Sequence, residues 1–330
     1  MIYFSNITVS DCYTCKRINR SATLILFVLF LVLGTTTVYA QWDTQISQYW
    51  RMKNFYNPSF IAGENVIEAS LLHRRQWVGI ENAPVTSLVS LNMPLKFLGK
   101  EHGVGVMVIN DKLGLFSNTS MMGQYSYRFK FKKNRYLNIG IQAGLIDIGF
   151  DASKIDIPDD QENGIVLPPS IGDKKLDIGL GISWVTPKYY IGASTTHILE
   201  PKFDIDDEYS TSIGRIYYMV AGYNIQMNNP LIELQPSALF KSDAVTYQLD
   251  ITAKVEYKKM FNGGISWRKG DGFVFLLGVK IKNIDAGYSY DLSTSAISKV
   301  SSGSHELFVR YSLPLEKRKE RHTGKSIRIL

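Results

Sequence analysis

Apolar and polar positions alternate along this chain with a period of two, the signature of half-buried strands. From Tyr247 to Lys258, the residues Tyr247, Leu249, Ile251, Ala253, Val255 and Tyr257 share one side of an extended segment. Gln248, Asp250, Thr252, Lys254, Glu256 and Lys258 share the other. Successive side chains of a strand point to opposite faces, so this segment has one apolar wall and one charged wall. Eleven residues at ~3.3 Å each, tilted by ~40°, cover about 28 Å, close to the hydrocarbon thickness of a bilayer. Met121, Gly123, Tyr125, Tyr127, Phe129 and Phe131 repeat the pattern against Gln124, Ser126, Arg128 and Lys130. So do Leu176 to Trp184, Ile284 to Tyr290 and His305 to Leu313. About fourteen such segments begin near residues 64, 85, 103, 119, 136, 174, 188, 213, 231, 247, 261, 272, 283 and 304.

Turn residues separate them: Lys132-Lys133-Asn134, Met227-Asn228-Asn229-Pro230, Asn262-Gly263 and Lys269-Gly270-Asp271-Gly272. Short turns between consecutive strands predict an antiparallel meander. The longer stretches from Asp151 to Asp173 and from Pro201 to Ser212 suit the outer loops of a membrane barrel. A soluble sandwich or lipocalin-like barrel shows the same alternation. Three features favour the membrane: strands of about ten residues where 5–6 is usual, aromatics toward strand ends, and a small, polar opposite face. The expected fold is all-β, a transmembrane antiparallel barrel of about 14 strands, with 12 to 16 compatible with the error of hairpin boundaries.

Only one apolar run approaches bilayer length, Ala22 to Gly34, preceded by Lys16, Arg17 and Arg20 and followed by Val38-Tyr39-Ala40. Basic start, short apolar block and small residue are the order of a secretory signal, with cleavage expected between Ala40 and Gln41. Thirteen apolar residues are short for a membrane anchor, the alternative. The basic start is long, which also leaves room for a start codon downstream of Met1. Cys12 and Cys15 leave with the leader, so the mature chain has no thiol chemistry. The expected layout is leader 1–40, a periplasmic or plug segment 41–63, barrel 64–313 and tail 314–330. Segment 41–63 is rich in Tyr, Trp and Phe and is expected to pack inside or beneath the barrel. The total charge is +7, but the leader carries +2 and residues 316–330 carry +4, leaving about +1 for the body. A basic total is therefore no sign of nucleic-acid binding. The tail is either a solvated end or a docking segment for an acidic periplasmic partner.

Chemistry is sparse. His73, His102, His197, His305 and His322 form no metal-ligand spacing, and no cofactor is expected. Ser194 and His197 have an odd spacing that sends them to opposite faces of a strand, and no G-x-S-x-G occurs. No catalytic residue is expected. Asn110-Asp111-Lys112-Leu113-Gly114 reads as a turn, with Asn and Asp bonding their own backbone and Gly at positive φ. Arg74, Arg75 and Trp77 either pack as a cation–π group that lines the lumen or fixes the N-terminal segment, or form an interfacial Trp with Arg at the headgroups.

Several segments in order resemble one family. Gln45-Ile46-Ser47-Gln48-Tyr49 followed by Asn57-Pro58-Ser59-Phe60-Ile61-Ala62-Gly63 resembles the opening of the PorP/SprF family of the type IX secretion system. Arg75-Gln76-Trp77 with Ala83-Pro84-Val85-Thr86, and Gly103-Val104-Gly105 with Asn110 to Gly114, are similar to its next segments. Ser194 to Pro201, Pro236 to Lys241, Gly287-Tyr288-Ser289-Tyr290-Asp291 and Gly303-Ser304-His305-Glu306 follow in the expected order. Tyr49, Asn57, Pro58, Gly63, Trp77, Pro84, Asp111, Gly114, Tyr290, Asp291, His305 and Glu306 carry the resemblance without an assigned role. The chain departs from the pattern in running seventeen residues past Leu313. The resemblance implies a non-enzymatic outer-membrane component that helps export, or hold at the cell surface, proteins with a type IX C-terminal signal, including motility adhesins. It implies outer-membrane lipid, the periplasmic ring and lipoproteins of that machinery, and the surface cargo as partners. A solute or lipid channel is the alternative, and an outer-membrane hydrolase is disfavoured for want of a nucleophile–base pair.

Overall fold

A computed structural model describes residues 44–63, 65–150, 171–204 and 210–315. The leader with its cut at Ala40 and Gln41, most of the Asp151 to Asp173 connection, and the basic tail lie outside the described residues. Among them, fourteen antiparallel strands close into one barrel. They are β1 Val66–Arg75, β2 Val85–Phe97, β3 Lys100–Leu113, β4 Phe116–Phe131, β5 Arg135–Phe150, β6 Ile171–Val185 and β7 Tyr189–Thr196. There follow β8 Ile216–Tyr223, β9 Ile232–Ser242, β10 Tyr247–Tyr257, β11 Phe261–Arg268, β12 Gly272–Ile281, β13 Ile284–Ser293 and β14 Ser304–Pro314. Each pairs with its chain neighbours, and β1 closes the barrel on β14 with Val66 opposite Pro314 and Arg75 opposite His305. Closure removes every sheet edge, the condition for a sheet to sit in lipid.

Burial runs opposite to that of a soluble protein. Ile251 on β10 is 47% exposed, while its neighbours Asp250 and Thr252 are 1% exposed. Leu71, Val89, Val106, Ile141, Leu180, Ile265, Leu277 and Leu307 likewise face outward. An exposed apolar face this extensive marks a lipid-covered wall. Aromatics belt both ends of it. Tyr127 and Phe129, Phe131 and Trp184, and Tyr189 and Tyr223 pair at one end. Phe116 and Phe150, and Phe240 and Tyr247, pair at the other.

Val66 and Pro314 lie at the same end, where six short turns also lie. The opposite end carries the long connections 151–170 and 197–215. Barrels of this kind keep short turns in the periplasm and long loops outside, so the first end is periplasmic and the second outer. Part of the Pro201 to Ser212 stretch is not loop. Lys202–Asp204 pairs with Ser210–Ser212, and Phe203 is buried.

Two turn readings are corrected. Asn262-Gly263 lies inside β11, and the chain reverses at Lys258-Lys259-Met260 instead. Lys258 and Lys259 both take positive φ there, so the local conformation was not marked by Gly or Asn. Asn110, Asp111 and Lys112 lie inside β3, and only Gly114 (φ 61°) and Leu115 turn the chain. Their side chains reach neighbouring strands rather than their own backbone: Asn110 donates to Thr119 (2.8 Å), and Thr86 donates to Asp111 (2.6 Å).

Ile251→Lys places an ammonium near mid-membrane on the lipid wall and is expected to cost about 2–4 kcal/mol. Thr252→Ser, one residue along and facing the lumen, is expected to leave stability near wild type. Urea unfolding of the protein in liposomes reads the difference.

Candidate functional site: the plugged lumen

Residues 44–63 run down the lumen from the outer end to the periplasmic end, and β1 then climbs the wall beside them. Thr44 donates to Asp111 (3.2 Å) near the outer end of β3. Gly63 lines the periplasmic mouth. Ile46, Tyr49, Met52, Phe55 and Tyr56 are buried against Leu72, Leu88, Met107, Met122, Ile146, Tyr218 and Phe308 of the wall. The inward face is therefore more apolar than its Gly, Gln and Ser content suggests, because an apolar plug needs an apolar seat.

The lower half of the plug is held by local capping chemistry. The short helix α1, Lys53–Tyr56, gives way to a 3-10 turn, Pro58–Ile61. Pro58 starts that turn at the position that needs no N–H. The Asn57 side chain accepts from the Ser59 N–H (2.9 Å), and its amide donates to the carbonyls of Ile182 (3.0 Å) and Ala193 (3.1 Å). One residue thus caps the turn and pins it to β6 and β7. Ser194 donates to the Tyr56 carbonyl (2.6 Å) and Ser126 to the Ser59 carbonyl (3.1 Å). Gly140 and Gly181 face this segment. A methyl at either would fall on Ser59 or Asn57, so the wall is smooth where the plug passes.

The upper half is held by ions. Arg74 of β1 faces Glu306 across the ladder to β14 and donates to Asp291 of β13 (2.7 Å) and Glu306 (3.5 Å). Arg268 of β11 stands opposite Asp250 of β10 and contacts Asp250 (3.0 Å), Asp291 (3.0 Å) and Asp271 (3.2 Å). The plug enters this cluster at Ser47. Its hydroxyl donates to Asp291 (2.7 Å) and accepts from Arg74 (2.8 Å) and Arg268 (3.2 Å). The backbone N–H groups of Ser47 and Gln48 donate to the two oxygens of Glu306 (2.7 and 2.9 Å). Arg74, Arg268, Asp250, Asp291 and Glu306 are all buried.

Between these groups in sequence, Arg51 reaches the periplasmic ends of β13 and β11, where it pairs with Asp285 and donates to Asn262 (3.0 Å), and it lies over the Phe308 ring (5.1 Å). The Tyr49 hydroxyl donates to Thr252 (3.0 Å) and meets Ser237 (3.0 Å).

The family described as "Type IX secretion system membrane protein PorP/SprF" matches residues 38–311. The chain belongs to the PorP/SprF family. It is an outer-membrane component of the type IX secretion system. No curated protein matches it. Among solved structures it is similar to the deltaS2S3 mutant of the TodX monoaromatic hydrocarbon channel: 9% identity, 79% of this chain, 94% of that one, TM-score 0.46. It is also similar to a Pseudomonas aeruginosa FadL homologue: 10% identity, 79% and 93%, TM-score 0.44. A third is Omp33 of Acinetobacter baumannii: 7% identity, 77% and 100%, TM-score 0.42.

The PorP/SprF motif positions divide by place. Tyr49, Asn57, Pro58, Asp291 and Glu306 meet at the plug and its seat. Asp111 reaches it through Thr44. Gly63 ends the plug, and Gly114 takes its outer turn. Trp77 (φ 49°) and Pro84 lie in the β1–β2 connection, where Trp77 N–H donates to Ser304 (3.1 Å) and the Pro84 carbonyl accepts from Gln76 (2.9 Å). Tyr290 and His305 are on the outer wall. Tyr290 donates to the Ser302 carbonyl (2.8 Å), and His305 meets the Tyr288 hydroxyl (2.7 Å). The Arg74-Arg75-Trp77 group splits: Arg74 turns inward to the ion cluster, while Arg75 is exposed. Ser194 and His197 do not meet. Ser194 holds Tyr56, and His197 contacts Asp177 (3.0 Å).

Arg268→Ala leaves Asp250 and Asp291 buried with a partner lost and is expected to destabilise by about 3–5 kcal/mol. Ion conductance in planar bilayers, low for wild type, is expected to rise as the plug loosens. Gly140→Leu is expected to expel the lower half without opening the barrel. Limited proteolysis would then cut within residues 44–63, while the barrel keeps its heat-modifiable gel migration.

Proposed function

We propose that this PorP/SprF protein is a non-enzymatic outer-membrane partner of type IX cargo, holding or helping to export proteins that carry the type IX C-terminal signal, including motility adhesins. The observation that carries this reading is the latched plug. A barrel whose lumen is filled by its own chain and tied by buried ions offers a surface at each end rather than a free path. Those ends suit contact with cargo outside and with the periplasmic ring and lipoprotein components beneath. Residues 1–40 serve as a cleaved leader, so the mature chain begins at Gln41, enters the plug, continues into the barrel and ends in the basic tail 314–330.

Deleting the gene is expected to remove the cargo from the cell surface while its transcript persists. Mass spectrometry of the purified protein is expected to find Gln41 at the N-terminus. Cargo displayed normally in the deletion strain, together with large stable conductance of the wild-type protein, would favour the channel reading instead.

A further inference from the structure

The two ends of the barrel differ sharply in charge. Within two residues of the six periplasmic turns there are eleven basic and four acidic residues. Within two residues of the seven outer connections there are ten basic and thirteen acidic. The excess on the periplasmic side is concentrated and exposed. Lys132, Lys133 and Arg135 surround a single turn, and Lys258 and Lys259 form another. Beneath the plug the same rim opens on a cavity of about 1090 Å³, lined by Lys53, Lys96 and Arg128 with Glu101. The chain reaches Leu315 on the wall of this cavity, and the sequence beyond adds six basic residues against two acidic.

We propose that the periplasmic rim is a cationic docking ring for an acidic surface of a periplasmic protein. The proposal rests on the outer-membrane reading above, which sets the rim in the periplasm. One observation favours protein over anionic lipid. Lys53, Lys96 and Arg128 line the cavity from the plug and from the inward-facing positions of β2 and β4, away from the headgroups around the outer wall. The tail carries the same sign as the cavity, so charge does not draw the two together. A field of one sign around a recess attracts and orients a partner of the opposite sign. An exposed ring of this kind acts over a Debye length of about 8 Å at physiological salt.

The test uses the full-length protein in its own cells, with a photo-crosslinking residue at Asn134 and a control at Ser298 on the outer side. Asn134 is expected to give an adduct with a periplasmic protein whose crosslinked peptide is rich in Asp and Glu. Lys132→Glu, Lys133→Glu and Arg135→Glu together are expected to reduce that adduct by about tenfold or more at unchanged barrel levels. Adducts with lipid alone, no adduct, an adduct with a peptide that is not acidic, or one indifferent to charge reversal would each overturn the docking ring. Asn134→Cys distinguishes the two readings. Labelling by an impermeant maleimide in intact cells would put the rim outside and overturn the orientation itself. Protection from it, with no charge-dependent adduct, overturns the docking ring alone.

Discussion

A guanidinium or carboxylate sealed inside a membrane barrel has no bulk water to return to, so it must be matched by charges and hydrogen bonds in place. Arg74 and Arg268, gathered around Asp291, meet that requirement only because five strands and the plug arrive together. Ser47 supplies a hydroxyl at the centre, and two backbone N–H groups complete Glu306. Withdrawing the plug strips Glu306 of two donors and leaves Asp291 without its hydroxyl. The N-terminal segment is therefore as much a part of this polar core as the strands are.

The same logic sorts the rest of the lumen by height. Buried ions hold the outer half, where Arg74, Arg268, Asp291 and Glu306 lie near the upper strand ends, and one further ion pair, Arg51 with Asp285, ties the plug near the periplasmic end of β13. Backbone contacts hold the lower half, through Asn57, Ser126 and Ser194, with Gly140 and Gly181 making room. Tyr49, Met52 and Phe55 share one apolar cluster with Leu72, Leu88 and Phe308 and fill lumen space that the polar contacts leave.

The wall was legible in the sequence because lipid and lumen impose a strict period of two. Ile251 and Thr252 differ in exposure as their alternation requires. The ion cluster was less legible. Asp291 and Glu306 were singled out only through a family resemblance, and Asp250 and Arg268 were missed. Their pairing depends on where the β10–β11 hairpin turns. A turn at Asn262-Gly263 would set Asp250 opposite Phe275, whereas the actual reversal at Lys258-Lys259-Met260 sets it opposite Arg268. Lys at positive φ carries no turn signature, so the register was hidden. Asn110 and Asp111 misled in the opposite direction: turn-forming residues sit in β3 because their side chains find Thr119 and Thr86 across the ladder.

The route of the plug also bears on how such a barrel is put together. Ser47 bonds residues 244 and 259 positions further along the chain, among the most distant partners in the molecule. Contacts so far apart in sequence form late, since a long loop must close before they repay it. The plug, which precedes every strand of the barrel, thus waits for the last two of them. The plug's latch and the seam between β1 and β14 thus draw on the same last strands, so the seat of the plug is complete only when the barrel is.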